Sequence, residues 1–147
     1  MRSTARGGPW LAFAGLAIVL VGTFLPWLRS GDALRDSYQS VDVLRMQPTP
    51  PGGPVGVLLY AWLAVIPLCS ISVALYALRA RRAAALVACL VGVLGLATSA
   101  LALVNAGGPA DAIGFAATGP IVTVCGAATA LTGGIVVFGG RQSGVKP

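Results

Sequence analysis

Four long apolar blocks organise the chain. Its stretches without a charged side chain are Gly7–Leu28 (22 residues), Met46–Leu78 (33), Ala83–Ala110 (28) and Ala112–Gly140 (29). A hydrocarbon core about 30 Å thick is crossed by about 20 apolar residues in a helix. Each block therefore holds one span, and none holds two with a turn between them. In lipid the backbone must satisfy its own hydrogen bonds, so runs of this length are helices rather than strands. The pattern predicts an all-α fold, an antiparallel four-helix bundle in a membrane. One transmembrane domain over residues 1–147 has spans at about 10–27, 55–78, 83–104 and 121–138, with outer loops 28–54 and 105–120.

Between the first two blocks, Gly31–Met46 mixes charge with Leu34, Tyr38, Val41 and Leu44. Their spacing suits one apolar face of a short helix lying on the membrane surface and ordered against the mouth of the bundle. A strand through Tyr38, Val41 and Val43 competes, with a broken alternation. The following Gln47–Pro54 holds four of the ten prolines and reads as a stiff spacer. Pro67 should kink the second span and free a carbonyl, with Ser70 and Ser72 near enough to help satisfy it. The short turn Arg79–Arg82 makes spans 2 and 3 antiparallel neighbours. In the 3–4 loop a dip into the interface and a surface turn capped by Asp111 both remain open. Thr118 followed by Pro120 suits the start of span 4.

Composition sharpens this picture. The chain is 56% hydrophobic before its 20 glycines are counted, against about 45–50% with glycine included in soluble domains. Charged residues are only 10%, too few to cover a soluble surface of this size. The N-terminus, the 2–3 turn and the tail hold seven of the ten basic residues and no acid, whereas Arg29, Arg35 and Arg45 share the other side with all four Asp. That asymmetry predicts a cell-membrane protein with both termini cytoplasmic. The net charge of +6 does not point to nucleic acid, because no basic domain exists to bind it. Arg2 and Arg6 before an apolar run resemble a signal peptide, but no small-x-small cleavage site follows, so the segment reads as an uncleaved anchor. Trp10 and Trp27, and Tyr60, Trp62 and Tyr76, fit aromatic belts at the interfaces.

The chain contains no histidine and no glutamate, which removes imidazole bases, Ser–His–Asp triads and His-ligated metals or haem. Cys69, Cys89 and Cys125 fall in three different spans without a Cys-x-x-Cys pair, and read as small buried hydrophobes. No charge lies at membrane depth, which counts against a proton relay. No catalytic residue, cofactor or metal is expected. A neutral pore would have to use Thr98, Ser99, Thr123, Thr129 and Thr132.

Small residues mark the packing faces. Gly126, Ala130 and Gly134 recur at intervals of four in span 4, as do Ala88 and Gly92, then Gly95 and Ser99, in span 3. Such faces let helices approach closely. Packing of spans 3 and 4 within one bundle accounts for them, with a homo-oligomer as the alternative. Arg35 and Tyr38, in the mixed-charge outer loop, are the candidate contacts for a membrane protein partner. The expected role is a non-enzymatic accessory or scaffold subunit of an envelope complex, in contact with the lipid bilayer and with no nucleic acid. The competing expectation is a small channel or carrier for a neutral or lipid-like molecule, using Pro67 and the Thr-bearing face of span 4.

The series Leu25-Pro-Trp-Leu-Arg-Ser-Gly31, Arg35-Asp-Ser-Tyr-Gln39, Trp62 and Pro67-Leu68 resembles small four-span membrane proteins frequent in actinobacteria. In those an outer Leu-Pro-Trp…Ser-Gly is often followed by Arg-Ser-Ser-Phe/Tyr. Here Asp36 replaces the first serine, and a Pro-rich stretch follows Leu44 where a Leu-Gly segment is expected. The resemblance implies a four-helix membrane fold and no nameable biochemical activity.

Overall fold

Each apolar block becomes helix, and proline decides where two of the helices stop. The computed structural model describes residues 4–30, 33–46, 52–104 and 113–139. In chain order they form α1 (Thr4–Phe24), β1 (Leu28–Ser30), β2 (Ala33–Arg35), α2 (Ser37–Arg45), α3 (Gly53–Trp62), α4 (Val65–Ala77), α5 (Arg81–Val104), β3 (Ile113–Phe115) and α6 (Thr118–Gly139). Among the described residues the fold is all-α apart from three short strands. Within α1, Gly7–Phe24 is long and apolar enough to cross a membrane, and so are α5 and α6. Helices α3 and α4 are apolar enough only when taken together, and they are bent by 51° at the break between them, the geometry of a broken span or a re-entrant loop.

The bend lies one turn before the proline that causes it. Pro67 sits in the first turn of α4, so the carbonyl its ring would crowd is that of Leu63, four residues earlier. Leu63 and Ala64 accordingly leave the helix as a turn. The two serines expected to help do other work. Ser70 donates to Ile66 O (3.1 Å) on its own helix, and Ser72 reaches across to Ala84 O on α5 (3.0 Å).

Helices α1 and α6 form the most extensive pairing. Gly8, Gly15 and Gly22 face Val137, Ala130 and Thr123, while Gly126 and Gly133 face Val19 and Ala12. The residue numbers of every facing pair share one sum, as antiparallel register requires. The seam positions step by four and three along both helices, which is a heptad stripe. A Cβ at Gly126 would lie 2.6 Å from Val19 N, 2.9 Å from Gly15 O and 2.9 Å from Ile18 Cγ2, so the two backbones approach too closely to admit it. On its next face α6 packs against α5. There Gly92 adjoins Leu131 and Ala127, Gly95 adjoins Ala127, and Gly134 adjoins Cys89 and Ala85.

Large apolar side chains point the other way. Ile18, Leu90, Val93, Ile121 and Ile135 are exposed, whereas Ala12, Ala84, Ala85, Ala88 and Ala130 are fully buried. A soluble monomer rarely presents so much contiguous apolar surface. The arrangement suits helices that pack through small residues and show their bulk to lipid.

Two of the expected interface tryptophans are in the core. Trp27 is 7% exposed and Trp62 2%, with ring centroids 5.1 Å apart. Pro26 denies a continuing α1 the amide it needs, so the helix ends at Phe24 and Trp27 turns inward. Trp10, 73% exposed, remains at the surface.

Candidate functional site

Because it follows a helix-breaking proline, Trp27 becomes the hub of one end of the bundle. Its indole Nε1–H donates to Gly22 O (2.8 Å), and its backbone amide to Arg35 O (2.8 Å). Its carbonyl accepts from Ala116 N (2.9 Å), and Pro26 O accepts from Gly119 N (3.0 Å) at the start of α6. A side chain at Gly119 would strike the indole ring. One Pro-Trp pair thus joins the end of α1, the strands and the start of α6.

The strands form a sheet in the order β2-β1-β3, both pairings antiparallel. Leu28 pairs with Arg35 on one side and with Phe115 on the other. The segment after α1 and the segment before α6 are therefore stitched together, an arrangement the hydropathy pattern did not disclose. Asp111 lies outside the described residues, as do 47–51, which make up most of the Pro-rich spacer.

Helix α2 begins at Ser37, not near Leu34. Asp36 caps it by accepting from Gln39 N (2.9 Å), which satisfies one of the free amides of the first turn. Leu34 falls in β2 and is exposed, so it leaves the apolar face expected of Leu34, Tyr38, Val41 and Leu44. Ser37 and Val41 press inward, and Ser37 Oγ donates to Thr23 O of α1 (2.8 Å). Ser40 Oγ donates to Asp36 O (2.6 Å). The loop is an ordered cap.

The candidate partner contacts, Arg35 and Tyr38, sit at the junction between cap and bundle. Both are half-buried, and Arg35 Nε and Tyr38 Oη are buried atoms without a hydrogen bond. Burial raises the Tyr38 phenol above its ordinary value. The Ile66 backbone opposes this without meeting hydrogen-bond geometry. The outward surface of α2 belongs instead to Gln39, Asp42, Arg45 and Met46. Arg45 stacks on the Tyr60 ring of α3, 4.4 Å from its centroid, a contact worth about 0.5–1 kcal/mol at an exposed site.

Under the cap lies a cavity of about 400 Å³, within the range of about 300–1,000 Å³ that ligand pockets occupy. Trp27 and Trp62 wall it, with Val41 and Leu44 of α2, Leu58 of α3 and Ala102 of α5 among the other residues. Its polar lining consists of Ser37, Ser40 and Thr98. Thr98 Oγ1 bonds back to Leu94 O (2.7 Å) and Gly95 O (3.2 Å). Among the described residues no charged side chain lines it.

The seven packing residues divide between two partners. Gly126 and Ala130 face α1, while Gly134 faces α5, so the expected stripe on span 4 is split. Gly92 and Gly95 do meet α6, and Ala88 and Ser99 are fully buried on α5. The α1 side of the seam has its own signal in the sequence, since Gly8, Gly15 and Gly22 recur every seven residues there.

Of the other polar residues in the spans, Thr129 and Thr132 donate to Cys125 O (2.7 Å) and Ala128 O (2.8 Å) on their own helix. Both hydroxyls are exposed on the outside of the bundle. Cys69, Cys89 and Cys125 are free thiols on α4, α5 and α6. Among the described residues no cluster of three His, Cys, Asp or Glu could hold a metal ion. Comparison with protein-family models, curated proteins and solved structures finds no match to this chain.

Proposed function

We propose that the chain is a non-enzymatic, four-span protein of the cell membrane, with both termini cytoplasmic, that serves as an accessory or scaffold subunit of an envelope complex. The observation that carries this reading is the cap. A loop of some 25 residues needs no sheet, no capped helix and no buried tryptophan merely to connect two spans. Here it is pinned to α1 through Ser37 and to the start of α6 through Pro26 and Trp27. It therefore presents a preformed surface with little ordering entropy left to lose on binding. Exposed Leu34 and Met46 supply apolar contact, and Gln39 and Asp42 supply a polar rim, the composition of a protein interface.

The outward-facing bulk of the long helices supports membrane placement. Arg79 lies between α4 and α5, and Arg81 and Arg82 open α5, at the end opposite the cap, which supports a cytoplasmic location for that end. Affinity purification in mild detergent tests the scaffold role. The wild-type chain should retain a membrane protein partner. Leu34→Asp and Met46→Asp should release it while the helical circular dichroism stays unchanged. Recovery of the bare chain alone would overturn the reading.

A further inference from the structure

We infer that the cavity beneath the cap holds one acyl chain of a membrane phospholipid, which enters sideways between α3 and α5. The inference rests on the membrane placement above, but not on the scaffold role.

Continuity of apolar surface is the first ground. A shallow groove on the outside of the bundle runs along Pro54, Ala97, Ala100 and Val104. It shares Val55, Leu58 and Leu101 with the cavity wall. An apolar track therefore leads from the exposed flanks of α3 and α5 to the tryptophan pair, and on those flanks Val57 is 70% exposed and Val104 83%. In a bilayer the molecules beside that track are lipid chains.

Chemistry narrows the occupant further. Among the described residues no charged side chain walls the cavity, and the hydroxyls of Ser37, Ser40 and Thr98 already donate to carbonyl oxygens. A polar solute would lose its hydration there and gain few donors in return. An alkyl chain loses nothing by leaving other chains and gains packing contacts against two indoles. Trp62, 2% exposed, also keeps an indole N–H without a hydrogen-bond partner. Such a buried donor is normally paired, and an ester carbonyl is an acceptor that the same lipid carries.

Fluorescence quenching by brominated lipid tests the inference on the full chain. The protein is reconstituted in phosphatidylcholine vesicles with or without bromine on the acyl chains. Trp10 is exposed on the bundle surface, so wild-type protein compared with Trp10→Phe reports contact with bulk lipid. Trp27 and Trp62 are shielded from bulk lipid, so emission of Trp10→Phe protein falls only if a chain enters the cavity. The expected result is loss of that emission with brominated lipid, and its recovery when Ala102→Phe or Thr98→Leu fills the space. The two filling variants are independent, and either one, folded by circular dichroism, suffices. Emission of Trp10→Phe protein that ignores bromine would overturn the inference, as would a loss that persists in every filled variant that folds. If Trp10 itself escapes quenching, the membrane placement fails instead.

Discussion

Replacing Gly126 with alanine isolates what the α1–α6 seam contributes. The added methyl would lie 2.6 Å from Val19 N, where ordinary contact begins at 3.4 Å. The seam must therefore open locally by about 0.8 Å, and a gap of about 0.5–1 Å forfeits a quarter to a half of each dispersion contact it separates. Two of the three obstructing atoms, Val19 N and Gly15 O, are backbone, so rotation of the third group, the Ile18 side chain, cannot clear the clash. Overpacking of this kind costs about 1–3 kcal/mol. Alanine also favours helix over glycine by about 1 kcal/mol, which partly hides the clash. Gly7→Ala serves as the control, because a Cβ there meets nothing within 4 Å and receives only the propensity gain. The two variants should thus differ in stability by the clash itself, about 1–3 kcal/mol. Reversible unfolding in mixed detergent micelles, followed by circular dichroism, measures that difference. Equal stability of Gly126→Ala and Gly7→Ala would refute close backbone contact at the seam.

Asp36→Ala should remove the α2 cap and cost about 1 kcal/mol, seen as faster hydrogen exchange at Gln39 and Ser40 with α5 unaffected. Ser37→Ala should cost about 1–2 kcal/mol by deleting a buried hydrogen bond to Thr23 O, and the same exchange experiment should show the whole of α2 loosening. Arg79 adopts a left-handed backbone with φ 62°, so Arg79→Gly should stabilise the protein by about 1 kcal/mol in detergent unfolding. Burial keeps the Tyr38 phenol protonated to higher pH in the folded chain, with Asp36 and Cys69 adding to the effect and the Ile66 backbone opposing it. Stability from this group is therefore constant below the unfolded value near pH 10 and falls as pH rises through the raised one. Melting temperature measured across that window should fall less steeply for Tyr38→Phe, and identical slopes would show that the phenol is not buried.

Periodicity, charge and proline placed the helices because those are local properties. Four charge-free blocks located the apolar helices, although α1 and α5 begin two or three residues before theirs, and the pair Thr118 and Pro120 placed the start of α6 correctly. The break in the second block was also legible, one turn from its cause. The small sheet was not, since three-residue strands leave no alternation to detect. The signal available was Gly31-Asp32, a two-residue turn pair with glycine first between two short segments. Its partner β3 lies more than 80 residues away in the chain, and no local pattern announces that pairing.

The sequence by itself determined that this chain is helical, that its bulk is apolar and that its charge is unevenly shared between the ends. Those conclusions follow from composition and spacing along one dimension. Only the tertiary structure decided which small faces meet. Gly126 and Gly134 share a spacing pattern yet serve different neighbours, because successive positions around a helix face different directions and the neighbours depend on how all the helices pack. It likewise decided that Trp27 and Trp62 are core rather than interfacial. An aromatic near the end of an apolar run looks the same in either setting, and what separates them is whether the chain turns inward after Pro26.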